Sequence, residues 1–376
     1  MKKLFFLIPV LWAAVSCGER GQVAKDTILY VKQLAADTTG IFSLVSAYRT
    51  AGTEGSIALI GEPEDCLLLS ERFLSIDEVD NIDGVPKQDR LPDFAGEVFD
   101  VLMDAYNEPY LGLAASSPDS LREAAVRNAV MAVDTVAFAN AYDRQARLNK
   151  NKAKVLVLAS SALAGYGRFD IDTLFKMAGR EPLILTPVES SVAAVKTLSH
   201  VAVWAPALLK EAYAEAALRY APSTDIIVLS PAEDDPRDAF RELLRMYREA
   251  KPNTRLDAVI VDRLSMDMTA LDDEREHIYR KITEEDMAFD RMLAPTFRFV
   301  DPKECLVAAC YRLLRERNLF THNIAYPSAR YYQTEEGPDG EALPVEVSAG
   351  FLASRTGSAS WITPDEAPYL HVPDND

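Results

Sequence analysis

Short, near-continuous apolar runs separated by amphipathic helices constrain this chain more than any other feature. Val155-Leu156-Val157-Leu158-Ala159 and Ile226-Ile227-Val228-Leu229 are apolar at every position. A strand apolar on both faces belongs inside a sheet that helices cover on both sides. Runs of the same kind mark strands at 27–31, 56–60, 135–140, 154–159, 183–186, 201–204, 225–229, 256–261 and 297–300. Helical spacing marks 93–106, where Phe94, Val98, Val101, Leu102 and Ala105 recur, and 120–133, where Leu121, Ala125, Ala129 and Ala132 do. Further helices are expected at 170–178, 206–220, 236–250, 283–293 and 302–318. Thr283 with three acidic residues behind it is a capping start. Strands alternating with helices of this length predict βαβ units and parallel sheets. The expected fold class is α/β, with two doubly wound parallel-sheet lobes at 27–150 and 151–320. The segment 321–376 loses the helical pattern. Its Gly337-Pro338-Asp339-Gly340 turn and alternating Pro344 to Ser348 predict a hairpin followed by an extended tail over the body.

The amino end is of another kind. Lys2 and Lys3 precede an apolar run of about twelve residues, Leu4 to Val15, followed by Ser16 and Cys17. That run is too short to span a bilayer, which takes roughly 20 residues, and has the order of an export signal. It resembles the signal peptide of bacterial lipoproteins, with Ala14 where leucine is commoner; ordinary secretion is the alternative. The resemblance implies cleavage after residue 16, lipidation of Cys17, a polar tether over 17–26, and a protein held on the bacterial cell envelope, in the outer membrane, by its lipid. Loss of Lys2 and Lys3 would take the formal charge from −18 to −20. So acidic a chain is repelled by phosphate backbones, which argues against nucleic acid as a partner. Beyond Cys17 the cysteines are Cys66, Cys305 and Cys310, enough for one bridge at most and expected as buried apolar groups.

Catalytic signatures are missing: there is no Gly-x-Ser-x-Gly, His-Glu-x-x-His, phosphate-loop or Cys-x-x-Cys pattern. The four histidines have no metal-ligand spacing, so neither a metal nor another cofactor is expected. Asp80 and Asp83, in the long acidic loop 76–93, have oxygen ligands of the calcium kind but lack the regular ladder, and read as a solvated turn. Gly165-Tyr166-Gly167 follows the strongest strand but lacks the third glycine of a dinucleotide turn.

Ligands of open α/β sheets bind at the carboxyl ends of strands. The residues there are Ser160 and Ser161, Glu189 and Ser190, Ser230 and Glu233, and Asp262 and Arg263, with Tyr166 and Trp204 able to stack on a ligand. Helix capping is the simpler role for any one serine or aspartate. With its export signal, the βαβ rhythm resembles the type I periplasmic binding proteins, a likeness of architecture without a quotable motif. It implies a cleft between two lobes that binds a small polar solute, such as a nucleoside, sugar or amino acid, without altering it. The alternatives are a racemase-like or hydrolase-like two-lobed enzyme, and an envelope scaffold that docks a protein partner on 321–376. A cysteine-dependent racemase would need a thiol from each lobe at a strand end. Cys305 and Cys310 fall within a helix pattern and do not supply one. A carboxylate-driven hydrolysis would draw on Asp80, Asp83 or Glu189.

Overall fold

The structure, a computed structural model, describes residues 25–49, 52–81, 84–142, 145, 147–323, 325–347 and 352. Cys17, the signal, Asp83 and almost all of the tail lie outside them. Helices α1 (Leu29–Ala36) and α2 (Gly40–Ala47) lead into β1 (Ser56–Gly61), α3 (Pro63–Ser75), β2 (Val98–Met103), α4 (Tyr110–Ser116) and α5 (Pro118–Val133). After β3 (Val136–Phe138) and β4 (Arg147–Asn149) come β5 (Ala153–Leu158), α6 (Ser161–Met177), β6 (Ile184–Leu185) and α7 (Pro187–Ala194). Then follow β7 (His200–Trp204), α8 (Lys210–Tyr220), β8 (Asp225–Leu229), α9 (Pro236–Ala250), β9 (Leu256–Val261), α10 (Met268–Tyr279), α11 (Glu284–Met292) and β10 (Leu293–Val300). The helix α12 (Pro302–Glu316) and the strands β11 (Ser328–Glu336) and β12 (Ala342–Glu346) complete the order. None of these helices is long and apolar enough to cross a membrane.

Two sheets form, in the α/β class expected. The first has eight strands in the order β4-β3-β12-β11-β2-β1-β5-β6, and the second has four parallel strands in the order β10-β9-β7-β8. The expected division at 150 does not match them. β5 pairs in parallel with β1 and β6 with β5, so the chain leaves the first sheet only after Leu185. It returns after β10, because Leu306, Val307 and Cys310 of α12 pack under the first sheet. The hairpin β11/β12 is also no appendage: β11 pairs with β2 and β12 with β3, which places it inside the first sheet. A docking surface on 321–376 would therefore have to spare those two strands.

Two expected elements change type. Residues 93–106 turn at Gly96, at φ 78°, and continue as the strand β2. Phe99, Val101 and Met103 fill one face of that strand, and Leu102 the other. Residues 27–31 enter the helix α1, whose Val31 joins the core. By contrast, Thr283 and Asp286 form the capping box that opens α11.

One apolar core joins the lobes. It runs from Ala58, Ile60, Leu156 and Leu158 of the first sheet, through α5, α6, α7 and α8, to Val201, Val203, Ala258 and Ile260 of the second. Gly165 and Gly167 serve this packing. A Cβ on Gly167 would stand 2.0 Å from Ala125 Cβ, and one on Gly165 2.8 Å from Ala212 Cβ. They let α6 approach α5 and α8 closely and are not a phosphate turn. At the base of the first sheet, Lys154 pairs with Glu97 at 2.7 Å, both buried, and donates to the carbonyls of Thr53 and Leu319.

Candidate functional site

The carboxyl ends of β1, β5, β7, β8 and β9 converge where the sheets meet. Backbone bonds hold them in place: Ala159 N–H donates to Ile60 O, Asp262 N–H to Trp204 O, and Ala205 N–H to Leu229 O. At the end of β1, Gly61 keeps close to β5; a Cβ there would lie 2.9 Å from Ala159 Cβ. The convergence leaves a cavity of about 300 Å³, at the small end of ligand sites. Glu62, Asp65, Ser160 and Ser161 line it from the first lobe; Trp204, Ser230, Asp262 and Arg263 line it from the second.

The two aspartates dominate its electrostatics. Asp262 follows β9, and burial pushes its carboxyl up to about 6, against the hydrogen bond from Ser161 and the nearby Tyr213 phenol. Ser161 Oγ donates to Asp262 Oδ1 at 2.5 Å and so ties one lobe to the other. Tyr213 is fully buried on α8. Its hydroxyl and Asp262 Oδ2 have no partner at full hydrogen-bond geometry among the described residues. Asp65 sits in the first turn of α3. Burial first, then the charges of Glu62, Glu64 and Asp262, raise it to about 8. Glu62 is raised too, chiefly by burial, and accepts a 2.9 Å bond from the Tyr110 amide. Ser160, 4% exposed, is the N-cap of α6 but does not cap it with its side chain.

Of the expected site residues, Ser160, Ser161, Trp204, Asp262 and Arg263 stand on this cavity, as does Ser230. Tyr166, Glu189 and Ser190 do not. Helix α6 begins earlier than its sequence pattern predicts, so Tyr166 lies one turn in and packs against the joining core. Glu189 and Ser190 ride on α7, where Glu189 stands 3.9 Å from both Arg168 and Arg219 and the Ser190 side chain is buried. Glu233 caps nothing in the cavity; its amide bonds Glu242. Asp80 closes a tight turn, its amide donating to Val85 O and its carbonyl accepting from Gly84. The acids of that loop bind its own amides: Asp93 accepts from Glu78 and Val79, and Asp77 from Asp89 and Arg90. Among the described residues no three potential ligands group around a metal position.

Cys66, Cys305 and Cys310 are unbridged, and none lines the cavity. Cys66 points into the core and donates to Leu102 O. The strand-end reading passes over Glu62 and Asp65. Their signal was available, because Gly61-Glu62-Pro63-Glu64-Asp65 directly follows the run 56–60.

No family model matches the chain, and no curated protein matches it. Among solved structures it resembles glutamate racemase from Francisella tularensis, determined in complex with D-glutamate. The identity is 14%, the TM-score 0.50, and the match covers 86% of this chain and 99% of the other. Glutamate racemase isoform RacE1 from Bacillus anthracis is similar at 11% identity and TM-score 0.50, covering 86% and 98%. At these identities the likeness is one of fold: two α/β lobes arranged as in those racemases.

Proposed function

We propose that the chain is a racemase-like enzyme that removes a proton from a carbon of a small polar molecule held between its lobes and returns one. Asp262 is the base and Asp65 the acid. One observation carries this reading. The two carboxyls, one from each lobe, share a cavity and are pushed apart in proton affinity, to about 6 and about 8. At neutral pH such a pair offers one carboxylate and one neutral acid, which is the division of labour that acid–base catalysis needs. A base on one side of a carbon and an acid on the other can invert it. Racemase neighbours of the same fold support the reaction class, and their D-glutamate complex supports an amino acid as the kind of molecule to try first. The thiols stay out of the cavity, so the carboxyls take the proton-moving roles.

The test is solvent exchange. The protein is incubated in D₂O with a panel of D- and L-amino acids, and deuterium at Cα is read by NMR. The expected result is exchange with a bell-shaped pH dependence, its limbs near 6 and 8, that Asp262→Asn abolishes with the fold intact. No exchange with any member of the panel would refute it. A thermal shift without exchange would favour the plain binding of a small polar solute.

We further infer from the leader alone that Cys17 is lipidated and holds the chain on the bacterial envelope, where it could meet a protein partner. Labelling with a fatty-acid analogue tests this; label retained by Cys17→Ala overturns it.

A further inference from the structure

Carboxyls outnumber cations on the wall of the cleft. Glu62, Asp65 and Asp262 reach it, whereas Arg263 is the one cation lining it among the described residues and is exposed. Carboxyls crowded together out of bulk water repel one another, and a cation placed among them relieves that repulsion and donates charge-assisted hydrogen bonds to them. Within that group Asp262 Oδ2 is buried and has no hydrogen-bond partner at full geometry among the described residues, so the site lacks a donor there. Ser160 is 4% exposed, lines the cavity, and does not cap α6 with its side chain. Beside it, the amino end of the long helix α6 lacks a side-chain cap, so its first-turn amides are free to meet negative charge. Those amides can meet one carboxylate or carbonyl oxygen. Apart from the exposed Arg263, no cation among the described residues lines the cavity to neutralise a second one.

We propose that the cleft takes a small molecule with an ammonium or guanidinium group set among Glu62, Asp65 and Asp262 and with no more than one carboxylate: a basic amino acid, not an acidic one. The solved neighbours named above are glutamate racemases, so this chain would share their fold and differ in substrate charge. The inference rests on the proposed function only for the choice of this cavity as the reaction site. Binding itself needs no turnover.

The experiment is isothermal titration at pH 7.5 with the D and L forms of lysine, ornithine, glutamate and aspartate, repeated in two buffers of different ionisation heat. Basic amino acids should bind at least tenfold tighter than acidic ones. Their heats should depend on the buffer, because a bound ammonium displaces protons from the carboxyls. Glu62→Gln, which keeps the acceptor for the Tyr110 amide, should weaken lysine or ornithine by about tenfold, the loss of one charge-assisted contact. Equal or tighter binding of glutamate or aspartate would overturn the proposal. So would the absence of binding by every basic compound up to about 10 mM, or an unchanged affinity in Glu62→Gln. Deuterium exchange into glutamate but not lysine would overturn this inference and leave proton transfer standing. Lysine binding without exchange would do the reverse.

Discussion

Replacing Asp65 by asparagine should make the protein more stable in alkali while disabling its proposed chemistry. Asp65 is held near 8 in the fold, against an ordinary value of 3.8. The folded state therefore keeps a proton that the unfolded chain releases, and stability falls as pH rises from about 4 to about 8, then levels off. A shift of roughly four units sets a ceiling of about 6 kcal/mol. Asp65 is only partly shielded from solvent and sits at the amino end of α3, both of which favour the carboxylate, so about 2 kcal/mol is the working figure. Asparagine has the same shape and no charge to bury. In thermal melts of the full chain, Asp65→Asn should melt roughly 3 °C above the parent at pH 8.5, and the two curves should converge toward pH 4. The gap must close with acid, since acid neutralises the parent's carboxyl. A variant less stable than the parent at pH 8.5, or a gap that does not change with pH, would refute this account of Asp65. A side chain that its own fold would prefer uncharged is retained for something other than stability.

Other expectations are as direct. Ser161→Ala removes the donor that stabilises the Asp262 carboxylate, so the acid limb of the exchange profile should move up by about one unit, read from rates between pH 5 and 8. Gly167→Ala forces α6 away from α5 at Ala125 and should lower stability by about 1–3 kcal/mol in urea melts; a neutral result would mean that the helices slide apart freely. Lys154→Met strands Glu97 in the core and should remove about 3–5 kcal/mol, with Glu97→Gln in the same chain recovering much of it.

The fold was legible where local pattern and tertiary partner agree. Runs such as Val155 to Leu158 are apolar on both faces and could only be interior strands; α9 begins at Pro236 and ends at Ala250 as its spacing predicts. Residue 93 onward shows the opposite. Phe94, Val98, Val101, Leu102 and Ala105 have true helical spacing, yet the segment is a central strand. Its acids have interior partners from elements distant in sequence: Glu97 pairs with Lys154, and Asp100 accepts from Ser56 and feels the charge of Lys150. No local window contains those partners. The same holds for the hairpin: its turn is readable from Gly337 to Gly340, but its insertion between β2 and β3 depends on which strand edges are left open.

The site follows the same logic one level up. The strand-end rule depends on knowing which strands are central and toward which lobe their ends point. For β5, β7, β8 and β9 the residues beyond the strand reach one cavity, so Ser160, Ser161, Trp204, Ser230, Asp262 and Arg263 come together. For β6 the rule fails, because β6 is an edge strand and the chain turns there into the crossover helix α7. For β1 the rule holds, since β1 lies between β2 and β5; Asp65 reaches the cavity, while the core absorbs the thiol of Cys66 one residue later. Asp65 and Asp262 belong to different lobes and to no shared motif. Their opposition becomes chemistry only when two sheets meet with their carboxyl ends inward, and spacing along the chain carries no trace of that meeting. In a fold of this kind the pair of groups that can act on one carbon is therefore set by strand order, and strand order is the quantity that hydrophobic pattern constrains least.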